Sequence, residues 1–298
     1  MCVVEGAAIR AGIPFADVHS FMTGNRWVSL PFSDHCEPLL PQDDRCALER
    51  LIAFLKRRQQ LGAPRMEIRW EIAASQQVFS EVNFINQWIP LERDPELVFK
   101  KFKKSTVWRH LHCAERHGIT VKECATLDEF MNFYRLQVMT RRRHGVPVQP
   151  KRFFEAVWER LLQPGYGFCL LAFKDSQPIA GGVFLTHGHT AVYKYSASDA
   201  RFRALNPAYP IMWEAIQRVC RQGCTTLDLG RSAKGDVGLR RHKKAWGALE
   251  RELPYTIITS NPPKHGSDIL DSVLAGIIRH SPRFVCSVTG ELLYKHFA

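Results

Sequence analysis

Residues 230–248, GRSAKGDVGLRRHKKAWGA, gather six Lys or Arg side chains around one carboxylate, Asp236, and close on Trp246-Gly247. A segment so cationic suits phosphate or carboxylate, and glycines at 235, 238 and 247 would let backbone amides approach such an anion closely. Arg231 and Arg143 add guanidinium groups whose paired donors match the oxygens of those anions. Arg143 also stands at the predicted end of a helix, where a cation complements the macrodipole equally well. Asp199 is the carboxylate best placed for a base, and an aspartate in a polar loop is also a common turn residue. Tyr193 and Tyr195, two apart on a predicted strand, are expected to share one face. Other chemistry finds less support. Ser33-Asp34-His35 are adjacent and cannot converge as a hydrolytic triad. His110, Cys113 and His117 would share a helical face but lack a fourth ligand, so no metal is expected.

These residues belong to a chain of 298 with 45% hydrophobic content, enough for one large domain or two ordinary ones, and two are expected. The net charge of +12 points to phosphates, nucleic acid, anionic lipid or acidic substrates as company and says nothing about fold. It concentrates at Lys100–Lys104, Arg141–Arg143 and Arg231–Lys244. Nine cysteines without a Cys-x-x-Cys suggest reduced thiols rather than a disulfide framework. No stretch approaches the roughly eighteen uninterrupted apolar residues of a membrane span. A soluble, cytoplasmic monomer is expected, with attachment to the periphery of the inner membrane through its basic surface left open.

The elements that must position the cationic residues fall into two halves. Over residues 1–95, short strand-like runs (2–4, 6–9, 13–15, 27–30 and 66–72) surround one amphipathic stretch, Cys46–Gln60. Strand fragments at the very start suggest a first domain that opens partway through. Residues 96–125 read as a basic helix over 96–118 and a connection, with apolar residues at 97, 98, 102, 107 and 111. Residues 126–260 carry helices at 129–144 and 150–162, three strands joined by hairpins (167–173, 179–186, 190–196), a helix from Pro207 to Arg221, and strands at 225–229 and 249–258. The cationic segment lies between the last two strands and reads as a glycine-loosened loop or helix. Residues 261–298 form a helical tail, with helices at 267–279 and 291–297.

That α+β order resembles the GNAT acyltransferase fold, and several stretches are similar to its FemAB-like branch of peptidoglycan-bridge aminoacyltransferases. They are TRRRHGVPVQPKRFF (140–154), AGGVFLTHGHTAVYKYSAS (180–198), LDLGRS (227–232) and HKKAWGA (242–248). SLPFSDHCEPLL (29–40) and GELLYKHFA (290–298) are similar to members that accompany exosortase and exopolysaccharide systems. The resemblance implies two GNAT-like domains, each a mixed, largely antiparallel sheet flanked by helices, the first truncated at its N-terminus. It also implies transfer of an acyl or aminoacyl group to a small-molecule or cell-envelope precursor amine, with no bound cofactor and no metal.

Such a reaction needs a grip on the donor's phosphates, a stabiliser for the oxyanion and a base for the amine proton. Lys243 matches the lysine of the family's Phe-Lys-x-x-Phe/Trp-Gly motif and is the expected stabiliser, with Tyr195 and Asp199 as its catalytic partners. His242 stands where that motif has Phe. Arg143, Tyr193, Ser196, Arg203, Arg231, Ser232, Lys234, His242 and Trp246 are the expected donor- or substrate-binding residues. The stretch Arg201–Pro207 has no glycine, unlike the pyrophosphate loop of CoA-dependent members, so acyl-CoA and aminoacyl-tRNA both stand as cosubstrates, with tRNA a possible partner. A non-catalytic GNAT-like scaffold and a basic nucleic-acid-binding protein are the alternatives.

Overall fold

The computed structural model describes residues 1–6, 8–20, 24–40 and 44–260, together with 276, 278–280, 282, 286, 288–291 and 294. Most of the tail expected over 261–298 lies outside the described residues. The described residues form two compact units, one from those within 1–85 and 251–260, the other from residues 86–250 and the described tail residues between 276 and 294. Both are α+β.

In the first unit, β1 (Cys2–Glu5) and β2 (Ala8–Gly12) pair as an antiparallel ribbon. A separate sheet runs in the order β3 (Ala16–Val18), β4 (Arg26–Val28), β5 (Arg65–Ile68) and the later part of β12 (Leu249–Ile258). Helix α1 (Arg45–Gln60) starts where Asp44 accepts a hydrogen bond from the Ala47 amide at 3.0 Å. Ala47, Leu51 and Leu55 recur at helical spacing and are buried with Met66, Ile68 and Ile258.

The second unit holds the sheet order β6 (Val78–Pro90, its last five residues), β11 (Thr226–Ala233), β10 (Thr190–Ser198), β9 (Gln177–His187), β8 (Gly167–Lys174) and β7 (Thr120–Glu123). Strands β7 to β10 are antiparallel; β10 and β11 are parallel. Helices cover both faces, so the central strands are buried on both. In β8, Phe168, Leu170 and Ala172 join one core while Cys169 and Leu171 join the other, which is why the strand reads as an unbroken apolar run. The first core is closed by α2 (Pro95–Phe99), α3 (Arg109–Arg116), α6 (Ala208–Arg221) and α7 (Val237–Ala245). The second is closed by α4 (Leu127–His144), capped by Thr126 and ended by Gly145 at φ 73°, and by α5 (Lys151–Val157).

The structure corrects three expectations. The helix read over 96–118 is broken into α2, a π-helical turn at Lys104–Trp108 and α3. Its aromatic residues cause the break. Phe102 turns inward onto Trp213 and Trp246 (ring centroids 5.8 and 5.1 Å), and the Lys103 amide donates to the Ala245 carbonyl at 2.8 Å. The connection read at 230–248 as a glycine-loosened loop or helix begins with four more residues of β11 and is then helical, as α7. Asp236 caps it by accepting from the Leu239 amide at 2.9 Å, and Gly247 ends it at φ 74°, a left-handed conformation that suits glycine. Tyr193 and Tyr195 fall on opposite faces of β10, because a bulge at Lys194 sets Tyr193 opposite Phe184 and Tyr195 opposite Val183. Strands β6 and β7 carry no clear alternation and had no counterpart in the sequence reading.

Candidate active site

Strands β10 and β11 pair only from Thr190 to Val192 against Thr226 to Asp228, although both continue well beyond. Past that register they part, and a cleft of about 290 Å³ opens between them. Its walls are Tyr193, Lys194 and Ser196 of β10 and Leu229 and Arg231 of β11. Ala208, Tyr209 and Met212 come from the first turns of α6, and Leu239, His242 and Lys243 from α7, with Trp246 at its C-cap. These last four residues are spaced i, i+3, i+4, i+7, which places them on one helical face.

Lys243 is buried, with an exposure of 7%, and its Nζ donates to the carbonyls of Gly230 (2.7 Å) and Arg231 (3.3 Å). A buried ammonium needs such partners, since leaving it unsatisfied would cost several kcal/mol. The bonds fix its positive charge at the point where β11 leaves its partner strand. His242 stands edge-on to Tyr209, its Nδ1 3.5 Å from the phenol oxygen. The His242 side chain is exposed at the cleft, and desolvation by the atoms packed around it, then the neighbouring His110 and Lys243, push the imidazole below its ordinary pKa of 6.5. Tyr209 is held between His110 (4.5 Å) and Trp246 (5.4 Å, stacked), and burial pushes its phenol upward. The Trp246 Nε1 is buried with no hydrogen-bond partner among the described residues.

Of the residues expected from the sequence, Tyr193, Ser196, Arg231, His242, Lys243 and Trp246 meet at the cleft. The others lie elsewhere. Tyr195 packs edge-on against Phe153 and Phe154 in the second core. Asp199 is 3% exposed and caps the short 3-10 turn Ala200–Leu205, receiving the Arg201 amide at 3.0 Å and its guanidinium at 2.6 and 3.0 Å. That ion pair commits Asp199 to the turn rather than to proton transfer at the cleft. Arg143 donates to the Ser198 carbonyl at 3.1 Å, and Arg203 is exposed on the 3-10 turn. Ser232 points away from the cleft and donates to Gln87 at 2.9 Å, while Lys234 lies in the exposed turn before α7, where its carbonyl receives Arg240.

Sequence reasoning missed Lys194, Tyr209, Met212 and Leu239. Lys194 reaches the cleft only because of the bulge. Leu239 was legible from the helical spacing of 239, 242, 243 and 246, once Asp236 and Gly247 are read as caps. The walls carry Lys194, Arg231 and Lys243 and, among the described residues, no carboxylate. A cleft so charged, with the N-terminus of the fourteen-residue α6 at its edge, is built to take an anion. No group of three His, Cys, Asp or Glu side chains able to hold a metal occurs among the described residues.

Residues 101–244, which include every wall residue of the cleft except Trp246, match the family described as the acetyltransferase (GNAT) domain. Among solved structures, FemX superposes with a TM-score of 0.64 at 13% identity, covering 87% of each chain. L-PGS from Bacillus licheniformis gives 0.58 at 14% identity, covering 91% of this chain and 87% of its own. A tandem GNAT protein from the clavulanic acid biosynthesis pathway gives 0.51 at 10% identity over 88% and 83%. At these identities the likeness is one of fold. A search of curated proteins finds no match.

Proposed function

We propose, from the match of residues 101–244 to the acetyltransferase (GNAT) domain family, that the protein moves an acyl or aminoacyl group from an activated donor to an amine, forming an amide. One observation carries the reading: the family's domain places a cation-walled cleft at the parting of two parallel strands, with the Lys243 ammonium fixed at its wall. Charge held rigidly in a partly water-excluded cleft stabilises an oxyanion more strongly than the same charge in water, because no reorganisation is needed as the oxyanion forms. Lys243 is the proposed stabiliser. Arg231 and Lys194 are the proposed grip on the donor's anionic handle, and the amides at the start of α6 add to it.

Acyl-CoA and aminoacyl-tRNA share that handle, a phosphate-bearing carrier with an activated carbonyl. The connection into α6 is a 3-10 turn ending at Asn206 (φ 56°), without a glycine-rich loop, which keeps aminoacyl-tRNA beside acyl-CoA as donor. With cations on its walls, the cleft favours an acceptor amine that also bears a negative group over a polycationic one. Amine-bearing cell-envelope precursors meet that description, and the FemAB-like sequence stretches support the choice.

The test is direct. Purified protein is incubated with acetyl-CoA or with alanyl-tRNA and a panel of amines, and products are followed by mass spectrometry. Amide formation that depends on protein and donor is expected; its absence with every pair would favour a non-catalytic scaffold.

A further inference from the structure

Resting on the acyl-transfer reading, we propose that His242 is the general base that takes the proton from the attacking amine. The cleft's walls leave little choice. The acids carried by the surrounding elements are committed elsewhere: Asp199 to Arg201, Asp228 to the Gly230 amide at 2.7 Å, Asp236 to the cap of α7, and Glu250 to Arg240 and Lys244, each at 2.8 Å. The phenols of Tyr193 and Tyr209 are pushed above their ordinary range by burial and hold their protons. Among the described wall residues this leaves one side chain that can accept a proton near neutral pH, the imidazole of His242.

Its setting suits the task. Tyr209 fixes the ring edge-on and meets Nδ1, so Nε2, which has no hydrogen-bond partner among the described residues, is the nitrogen assigned to the amine. The charged and titratable groups around the ring are His110 and Arg109 of α3, Tyr209 of α6, Lys243 and its own helix, and Lys194 and Arg231 on the strands of the cleft. All but the phenol are cationic or become so on protonation. They keep the imidazole neutral and ready to accept, and they make the imidazolium quick to give its proton up. In the step, the neutral amine nitrogen forms the C–N bond, the bond from the carbonyl carbon to the donor's sulfur or oxygen breaks, Nε2 takes the amine proton, and that proton passes to the leaving atom. The imidazole ends neutral.

The test compares the wild type with His242→Phe and His242→Gln, using acetyl-CoA and alanyl-tRNA as donors and glycine, lysine and glucosamine as acceptors. Phe keeps the ring contact with Tyr209, and Gln keeps a hydrogen-bonding group; neither titrates near neutrality. Both variants are expected to lower kcat by about 100-fold or more, with the acceptor KM shifted by less than about threefold, and to lose the acidic limb of the kcat profile at saturating acceptor. A His242→Gln enzyme that turns over like the wild type with that limb intact overturns the base assignment and leaves acyl transfer standing. A wild type that forms no amide from any pair overturns both. Should neither variant fold, the wild-type kcat profile decides, since the absence of an acidic limb below neutral pH removes the base.

Discussion

Lys243 and Arg231 both line the cleft, yet they are expected to fail differently when changed. The Lys243 ammonium is bonded to the carbonyls of Gly230 and Arg231, so its charge cannot follow the substrate and acts mainly on the transition state. Lys243→Met should therefore lower kcat by about 100-fold with a smaller change in donor KM, as removal of one oxyanion donor does. Arg231 lines the cleft from a half-buried position, and Arg231→Ala should chiefly raise donor KM. Steady-state kinetics with varied donor separates the two. Equal losses in kcat and KM for both variants would reject the division of roles.

At the scale of elements, α7 is pinned from two sides. Arg240 and Lys244, one turn apart, both bind Glu250 at 2.8 Å, and Gln87 donates to the Arg240 carbonyl at 3.2 Å while receiving Ser232 at 2.9 Å. Hydrogen bonds from Arg240, then Lys244, lower the Glu250 carboxyl to about 2. A depressed carboxylate pKa contributes stability above the unfolded value of 4.5 and loses it as pH falls through the folded value. Glu250→Gln should lower Tm by roughly 1–4 °C at pH 7, because exposed pairs contribute up to about 1 kcal/mol each and that energy shifts Tm by a few degrees. The gap to wild type should close as pH falls from about 4.5 toward about 2. Thermal melts across pH check it, and a gap that persists at the acid end would show that packing, not charge, sets the effect. Asp236→Ala removes the cap of the same helix and should cost about 0.5–2 kcal/mol in a denaturant titration.

For the whole molecule, the governing quantity is the net charge of +12. A field of that sign draws polyanionic donors to the protein and is screened over about 8 Å at physiological ionic strength. Raising salt from roughly 0.05 to 0.5 M should therefore lower kcat/KM for a phosphate-bearing donor several-fold and leave kcat at saturation nearly unchanged. A kcat that falls in step would place the salt effect inside the cleft instead. No described helix is long and apolar enough to cross a membrane.

Much of this protein is settled by local rules that a sequence displays. Helices α1, α4 and α6 announce themselves through apolar spacing and caps, and strands β8 to β10 through apolar runs between turns, because burying a face and satisfying the backbone are short-range demands. Lys243 and Arg231 were likewise legible, as cations in a segment between two strands. The tertiary structure decided what those cations surround. A one-residue bulge at Lys194 sent Tyr193 into the cleft and Tyr195 into the core, and an ion pair with Arg201 drew Asp199 away. Inward-turning Phe102 broke a helix whose periodicity was sound, and the parting of β10 from β11 created the cleft itself. Apart from the Asp199–Arg201 pair, two residues apart, each of these depends on partners farther along the chain, and local spacing carries no record of them.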